Sequence, residues 1–157
     1  MLVYRRILVG DQERFLLIRN GRFVRILKPG THWVWGPGKL HLEKHNVLRV
    51  VFESEWADFL AKEKQEIAEQ YFKIVETNDS QAAVVSVDSK LFTIVPPGKR
   101  MLLWREPAEI RVLMLNIAEK PEVPEDLVTP VNRVRPDLAG FSTVEQEKVG
   151  LLFHKGR

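Results

Sequence analysis

At 157 residues and 45% hydrophobic content, the chain can bury one good core or two small ones and has the ordinary composition of a soluble globular protein. Cysteine is absent, which excludes disulfides, thiolate metal sites and cysteine nucleophiles and fits a reducing compartment, with the cytoplasm as the default; no apolar run approaches the roughly 20 residues that cross a bilayer. The net charge of +3 hides an uneven spread, with ten Lys and Arg against three Asp and Glu in residues 1–50, three against eight in residues 51–80, and eleven against ten in the remainder.

The opening MLVYRRILVG carries two arginines and no small-residue cleavage site, so it does not read as a signal peptide. Tyr4 to Val9 predicts a short lead-in strand. Phe15 to Ile18 and Phe23 to Leu27 are aromatic and β-branched runs around Asn20-Gly21, which supplies the two positive-φ positions of a type I′ hairpin. Pro29-Gly30 suits a type II turn that returns the chain as a third strand through Thr31 to Trp35, giving a three-stranded meander. Gly36-Pro37-Gly38 breaks it, Leu40 to Leu42 alternates like another strand, and Val47 to Phe52 reads as a buried one. From Ser54 to Phe72 the period becomes helical. Ser54 is a plausible N-cap, Glu55 and Asp58 fall in the first turn, and Trp56, Phe59, Leu60, Ile67 and Tyr71 recur at helical spacing with Glu63 interrupting the stripe. That predicts one helix, with a docking face rather than a coiled-coil seam. Strand character resumes at Lys73 to Val75.

Moved along by 68 residues, Asp11 to Trp35 falls on the stretch Asn78 to Leu103. Asn20-Gly21 lands on Asp88-Ser89 and Pro29-Gly30 on Pro97-Gly98; two residues further on, Pro37 lands on Pro107 and Asn46-Val47 on Asn116-Ile117. Pro121, Pro124, Pro130 and Pro136 then favour an extended connection, and Leu151-Leu152-Phe153 answers Leu16-Leu17-Ile18 as a third copy begins. The sequence thus reads as the front part of something longer, or as a shortened relative. The expected fold is α+β and mainly β, built of repeated small antiparallel β-meander units with one intervening α-helix. Its divisions are 1–53 (first unit), 54–72 (linking helix), 73–117 (second unit), 118–142 (Pro-rich linker) and 143–157 (start of a third, incomplete unit).

Chemistry-bearing patterns are sparse. Ser54, Ser80, Ser86, Ser89 and Ser142 lie in no nucleophile-elbow context, and Gly36-Pro37-Gly38 lacks the lysine and following helix of a phosphate loop. His32, His41 and His45 are weak metal candidates, because on a strand the last two stand roughly 13 Å apart, too far for one ion. No catalytic site, metal, cofactor or small-molecule substrate is expected. Arg14, Arg19, Arg22, Arg25 and Lys28 would form a footprint for an anionic surface, or the solvated face of a half-exposed sheet. Phe15, Phe23, Trp33 and Trp35 would form a base-stacking platform, or the core face of that sheet. Val149, Leu151 and Phe153 alternate on a last strand that needs a sheet edge, in its own chain or a neighbour's, and are the candidate residues for self-association.

Val9, Glu13, Arg14 and the run from Gly21 to Trp33, GRFVRILKPGTHW, resemble the opening of the stomatin, prohibitin and flotillin (SPFH, or band 7) superfamily, in particular bacterial slipins. Phe72 to Ile117, with its own Pro-Gly turn and Trp104, looks like the extended front region of certain longer slipins, and a more distant likeness is to the repeated β-domains of the major vault protein. The resemblance implies a non-enzymatic, self-associating scaffold, a homo-oligomer held peripherally at the cytoplasmic face of an anionic membrane. The hydrophobic N-terminal anchor and the long C-terminal helical region of that family are not found in this sequence. A metal- or small-ligand-binding module and a basic nucleic-acid-binding module are the alternatives, though no nucleic-acid motif accompanies the arginines.

Overall fold

The structure, a computed structural model, describes residues 2–118 and the backbone of 143–144 and 148–149. It is mostly strand, with antiparallel sheets and two short helices, and divides into two compact units, Met1–Val50 and Val51–Arg157.

In the first unit, β1 (Leu2–Val9) pairs with β4 (Gly30–Pro37) as a two-stranded sheet, while β2 (Glu13–Arg19) lies between β3 (Arg22–Leu27) and β5 (Leu40–Asn46) in a three-stranded one. The Asn20-Gly21 hairpin forms with positive φ at both residues. The meander does not. After Pro29 the chain leaves the hairpin, and β4 pairs with β1 in the opposed sheet, Tyr4 opposite Trp35 and Ile7 opposite His32. The reason is burial. Ile7, Val9 and Val34 from one sheet close on Leu17 and Leu27 from the other, with Phe15, Leu40 and Leu42 against them, so the apolar faces cover each other instead of one wide sheet facing water. The segment expected as a strand at 47–52 is a turn, held by the Leu48 amide donating to Asn46 Oδ1 at 2.9 Å. Val51, with which the second unit begins, makes a bridge to Leu103 within that unit.

In the second unit, the single helix expected over 54–72 is two helices of seven residues, α1 (Ala57–Glu63) and α2 (Gln65–Tyr71). They are separated at Lys64, whose φ of −130° and ψ of 46° are not helical. Lys62 to Glu66 are all polar and exposed, so no side chain in that turn holds it to the core, whereas Leu60 and Ala68 on either side are fully buried. Ser54 does not cap the helix; its Oγ accepts from the Trp56 amide at 3.1 Å, one residue group ahead of the first turn. β6 (Phe72–Glu76) pairs with β9 (Arg100–Trp104), and β7 (Gln81–Val87) lies between β8 (Lys90–Val95) and β10 (Ile110–Asn116). Phe52 packs its ring on Phe72 at 4.5 Å and Trp104 at 5.3 Å between centroids.

The two three-stranded sheets share their register. Leu16 opposite Ile26, a shift after Leu17, then Ile18 opposite Phe23 becomes, 68 residues on, Val84 opposite Ile94, a shift after Val85, then Ser86 opposite Leu91. Glu13 faces Asn46 as Gln81 faces Asn116. Asn20 accepts the Lys39 amide on Oδ1 at 2.8 Å and donates its own amide to the Lys39 carbonyl at 2.9 Å; Asp88 does the same with Glu109, both at 2.9 Å. The two-stranded sheets differ by one residue, since Tyr4 faces Trp35 whereas Phe72 faces Trp104 rather than Leu103.

β11 (Thr143–Val144) and β12 (Lys148–Val149) pair with each other, so the backbone of Val149 finds its partner at Thr143. Leu151, Phe153 and residues 119–142 of the expected linker lie outside the described residues.

Candidate functional site, an exposed aromatic face and its neighbouring groove

Alternation along β1 and β4 sends Ile7, Val9 and Val34 inward, and so sends Leu2, Tyr4, Arg6, Leu8, Trp33 and Trp35 outward. Trp33 is 54% exposed and Trp35 67%. Tyr4 stacks on Trp33 with centroids 5.4 Å apart and planes 22° from parallel, and the Arg6 guanidinium lies 5.8 Å from the Trp33 centroid. The outcome is a ribbon with one face of large, rigid rings and aliphatic side chains in water. The tryptophans are therefore not core residues: the space between the sheets is filled by Phe15, Leu17, Leu27, Leu40 and Leu42, and the inward β4 positions take Gly36 and Val34 instead.

The aromatic platform suggested by the sequence is split accordingly. Phe15 packs at the core, Phe23 is half-buried on β3, and only Trp33 and Trp35 stand together outside. Sequence reasoning missed Leu2, Tyr4, Arg6 and Leu8. Their signal was large residues at every second position of the lead-in strand, opposite a strand with Trp at alternate positions.

The five basic candidates do not form one cationic surface. Arg14 donates through Nη1 to the Asp11 carbonyl at 3.1 Å and the Glu13 carbonyl at 2.7 Å. Arg19 donates through Nη2 to the Trp35 carbonyl at 3.0 Å, its guanidinium lying where a side chain at Gly36 would be. These two brace the backbone. Arg22 and Arg25 are exposed on β3, in the other sheet, and Lys28 is exposed with its carbonyl bonded to His32 Nε2 at 2.7 Å. The histidines do not converge either. His32 is on β4, His41 is exposed on β5, and His45 Nε2 contacts Glu43 Oε1 at 2.7 Å. Among the described residues no three His, Cys, Asp or Glu side chains are grouped to hold a metal ion.

On the side of β1 opposite the aromatic face, Val3, Arg5, Gly38, Lys39 and Leu40 line an open groove of about 470 Å³. A second pocket of about 360 Å³ in the other unit is lined by Asp58, Glu76, Thr77, Gly98, Lys99 and Arg100. There Arg100 bridges Glu76 at 2.8 Å and Asp58 at 3.3 Å, and the Glu76 hydrogen bond foremost raises the guanidinium pKa above its ordinary value. Its charges are largely matched within the pocket. Among the described residues no helix is long and apolar enough to cross a membrane. Comparison with family models, with curated proteins and with solved structures found no match.

Proposed function

We propose that the chain is a non-catalytic scaffold module of the slipin kind, attached to an anionic bilayer surface by the outward face of β1 and β4. The observation that carries this reading is the exposed set Leu2, Tyr4, Leu8, Trp33 and Trp35 with Arg6 among them. Tryptophan and tyrosine suit the headgroup level, where one side of the ring is dry and the polar N–H or O–H stays wet. The unit bearing them has ten Lys and Arg against three Asp and Glu, and each cation near an anionic leaflet contributes about 1 kcal/mol.

The two units are, on this proposal, successive copies of one β-module, a reading supported by their common register and the matching Asn20 and Asp88 bonds. Self-association is between modules of different copies. Their opposite charge balance favours it, since Val51–Arg157 has fourteen Lys and Arg against eighteen Asp and Glu.

Sedimentation with phosphatidylcholine vesicles, with and without phosphatidylserine, across a salt series tests the attachment. Binding to the anionic vesicles that weakens as salt rises is expected, with a loss of at least about tenfold, or 1.4 kcal/mol, in the Trp33→Ser/Trp35→Ser variant. No vesicle binding, or binding to single-stranded oligonucleotides in its place, overturns it.

A further inference from the structure

We infer that the groove lined by Val3, Arg5, Gly38, Lys39 and Leu40 is a subsite for the headgroup of one anionic phospholipid, its phosphate between the two cations and the start of its acyl chains on Val3 and Leu40. The inference rests on the bilayer reading and adds a stoichiometric site to it. A groove of about 470 Å³ falls within the range of small-ligand sites. Its floor is apolar, because Leu40 packs against the core of the first unit and Val3 is half-buried. Its polar groups are of one sign. Arg5 and Lys39 line it with no carboxylate beside them, and among the described residues neither forms an ion pair. A group that satisfies both cations and the apolar floor is an anion carrying an aliphatic tail.

The wall bearing Lys39 is preorganised. Asn20 holds the Lys39 backbone at both its amide and its carbonyl, and Gly38 has φ +100°, where an added Cβ would strike the Asn20 carboxamide. The groove therefore stays open at position 38 and Lys39 is fixed in direction at its root. The second unit supplies a contrast. The same clamp, made by Asp88, holds Glu109, whose carboxylate pairs with Arg111 at 2.8 Å, so a backbone of the same form presents an acid there. The anion preference belongs to the side chains of the first unit alone. Val3 and Arg5 alternate with Leu2, Tyr4 and Arg6 along β1, so the groove opens on the opposite side of that strand from the aromatic side chains.

The test uses the full chain and short-chain lipids that remain monomeric. NMR titration with dihexanoylphosphatidylglycerol is expected to give saturable shifts at the Val3, Arg5, Gly38 and Lys39 amides. Dihexanoylphosphatidylcholine and inorganic phosphate should bind at least about tenfold more weakly, the first for want of net charge and the second for want of a tail. Arg5→Gln/Lys39→Gln should lower the affinity by a similar factor. Arg22→Gln/Arg25→Gln, which removes as much charge from the other sheet, should leave it unchanged, both variants keeping the wild-type dispersion of β2 resonances. The subsite is refuted if the anionic lipid gives no saturable shifts at these residues, if inorganic phosphate binds as well, or if both double variants weaken binding equally. Retention on anionic vesicles without binding of the short-chain lipid would defeat the subsite and leave the bilayer reading standing; the reverse pattern would defeat the bilayer reading.

Discussion

Replacing Gly38 by alanine tests whether the clamp on Lys39 is a built feature of the first unit. Gly38 has φ +100°, a conformation that costs a residue with a Cβ on the order of 1–3 kcal/mol. The new methyl would meet the Asn20 carboxamide, and displacing that group sacrifices its bond to the Lys39 amide, a further ~1 kcal/mol. Gly38→Ala should thus destabilise the unit by about 2–4 kcal/mol. Asn20→Gly alone loses the side-chain bond but suits the positive φ, and should cost about 1 kcal/mol. The two changes share one interaction, so the double variant should fall short of their sum by roughly 1 kcal/mol. Urea unfolding followed through separate β2 and β7 resonances reads the two units apart. Additivity within a few tenths of a kcal/mol, or a Gly38→Ala variant as stable as wild type, would sink the reasoning.

Two further outcomes are expected. Phe72→Ala should destabilise the second unit by about 3–5 kcal/mol in the β7 transition, because the ring is fully buried against Phe52 and Trp104, with centroids 4.5 and 4.6 Å away; a change below about 1 kcal/mol would mean that the site collapses freely. Glu13 has its pKa lowered, first by its hydrogen bond from Lys44 and then by the Gly10 amide at 3.0 Å. The stability it contributes is present above its unfolded pKa and is lost as pH falls through the lowered folded value. The stability gap between wild type and Glu13→Gln should accordingly be constant near neutrality and close below the ordinary carboxylate range, and a gap that widens in acid would contradict the assignment.

What the sequence made legible was local. The Asn20-Gly21 hairpin needs φ values that only a few residues tolerate, and the bends at Gly30 and Gly36 to Gly38 likewise follow from backbone chemistry carried by the residues themselves. Strand pairing was not legible, because β4 could satisfy its backbone beside β3 or across the core beside β1, and only the fit of Ile7, Val9 and Val34 against Leu17 and Leu27 decides between them. The same decision turns the tryptophans outward, so the candidate face was hidden by a one-residue choice of which side of a strand is dry. The helix over 54–72 failed differently. Its apolar spacing marks the two buried points, Leu60 and Ala68, but nothing in periodicity says that the polar turn between them leaves helical geometry.

If the units are copies, the outward face of β1 and β4 has a counterpart that reveals what it is suited to. Tyr4, Arg6 and Leu8 correspond to Phe72, Ile74 and Glu76, and the face holding Phe72, Leu102 and Trp104 is buried in the second unit, where Phe52 covers it and the Phe52 amide donates to the Leu102 carbonyl at 2.8 Å. Its Phe72, Leu102 and Trp104 end is apolar and dry, while its other end carries the exposed Glu76 opposite Arg100. Its counterpart in the first unit keeps the size of its side chains but changes their kind, with phenylalanine replaced by tyrosine, isoleucine by arginine, glutamate by leucine, and two indoles rather than one on the facing strand. A surface meant to be sealed under a segment like the one bearing Phe52 would strand the Tyr4 hydroxyl and the Arg6 charge without water, and each such group costs kilocalories when left unpaired. At the boundary between water and an acyl layer the same groups stay solvated while their rings and stems are buried. The chemistry of the substitutions between the two units, more than the bare exposure of the rings, is what favours a lipid interface over a dry protein contact for this face.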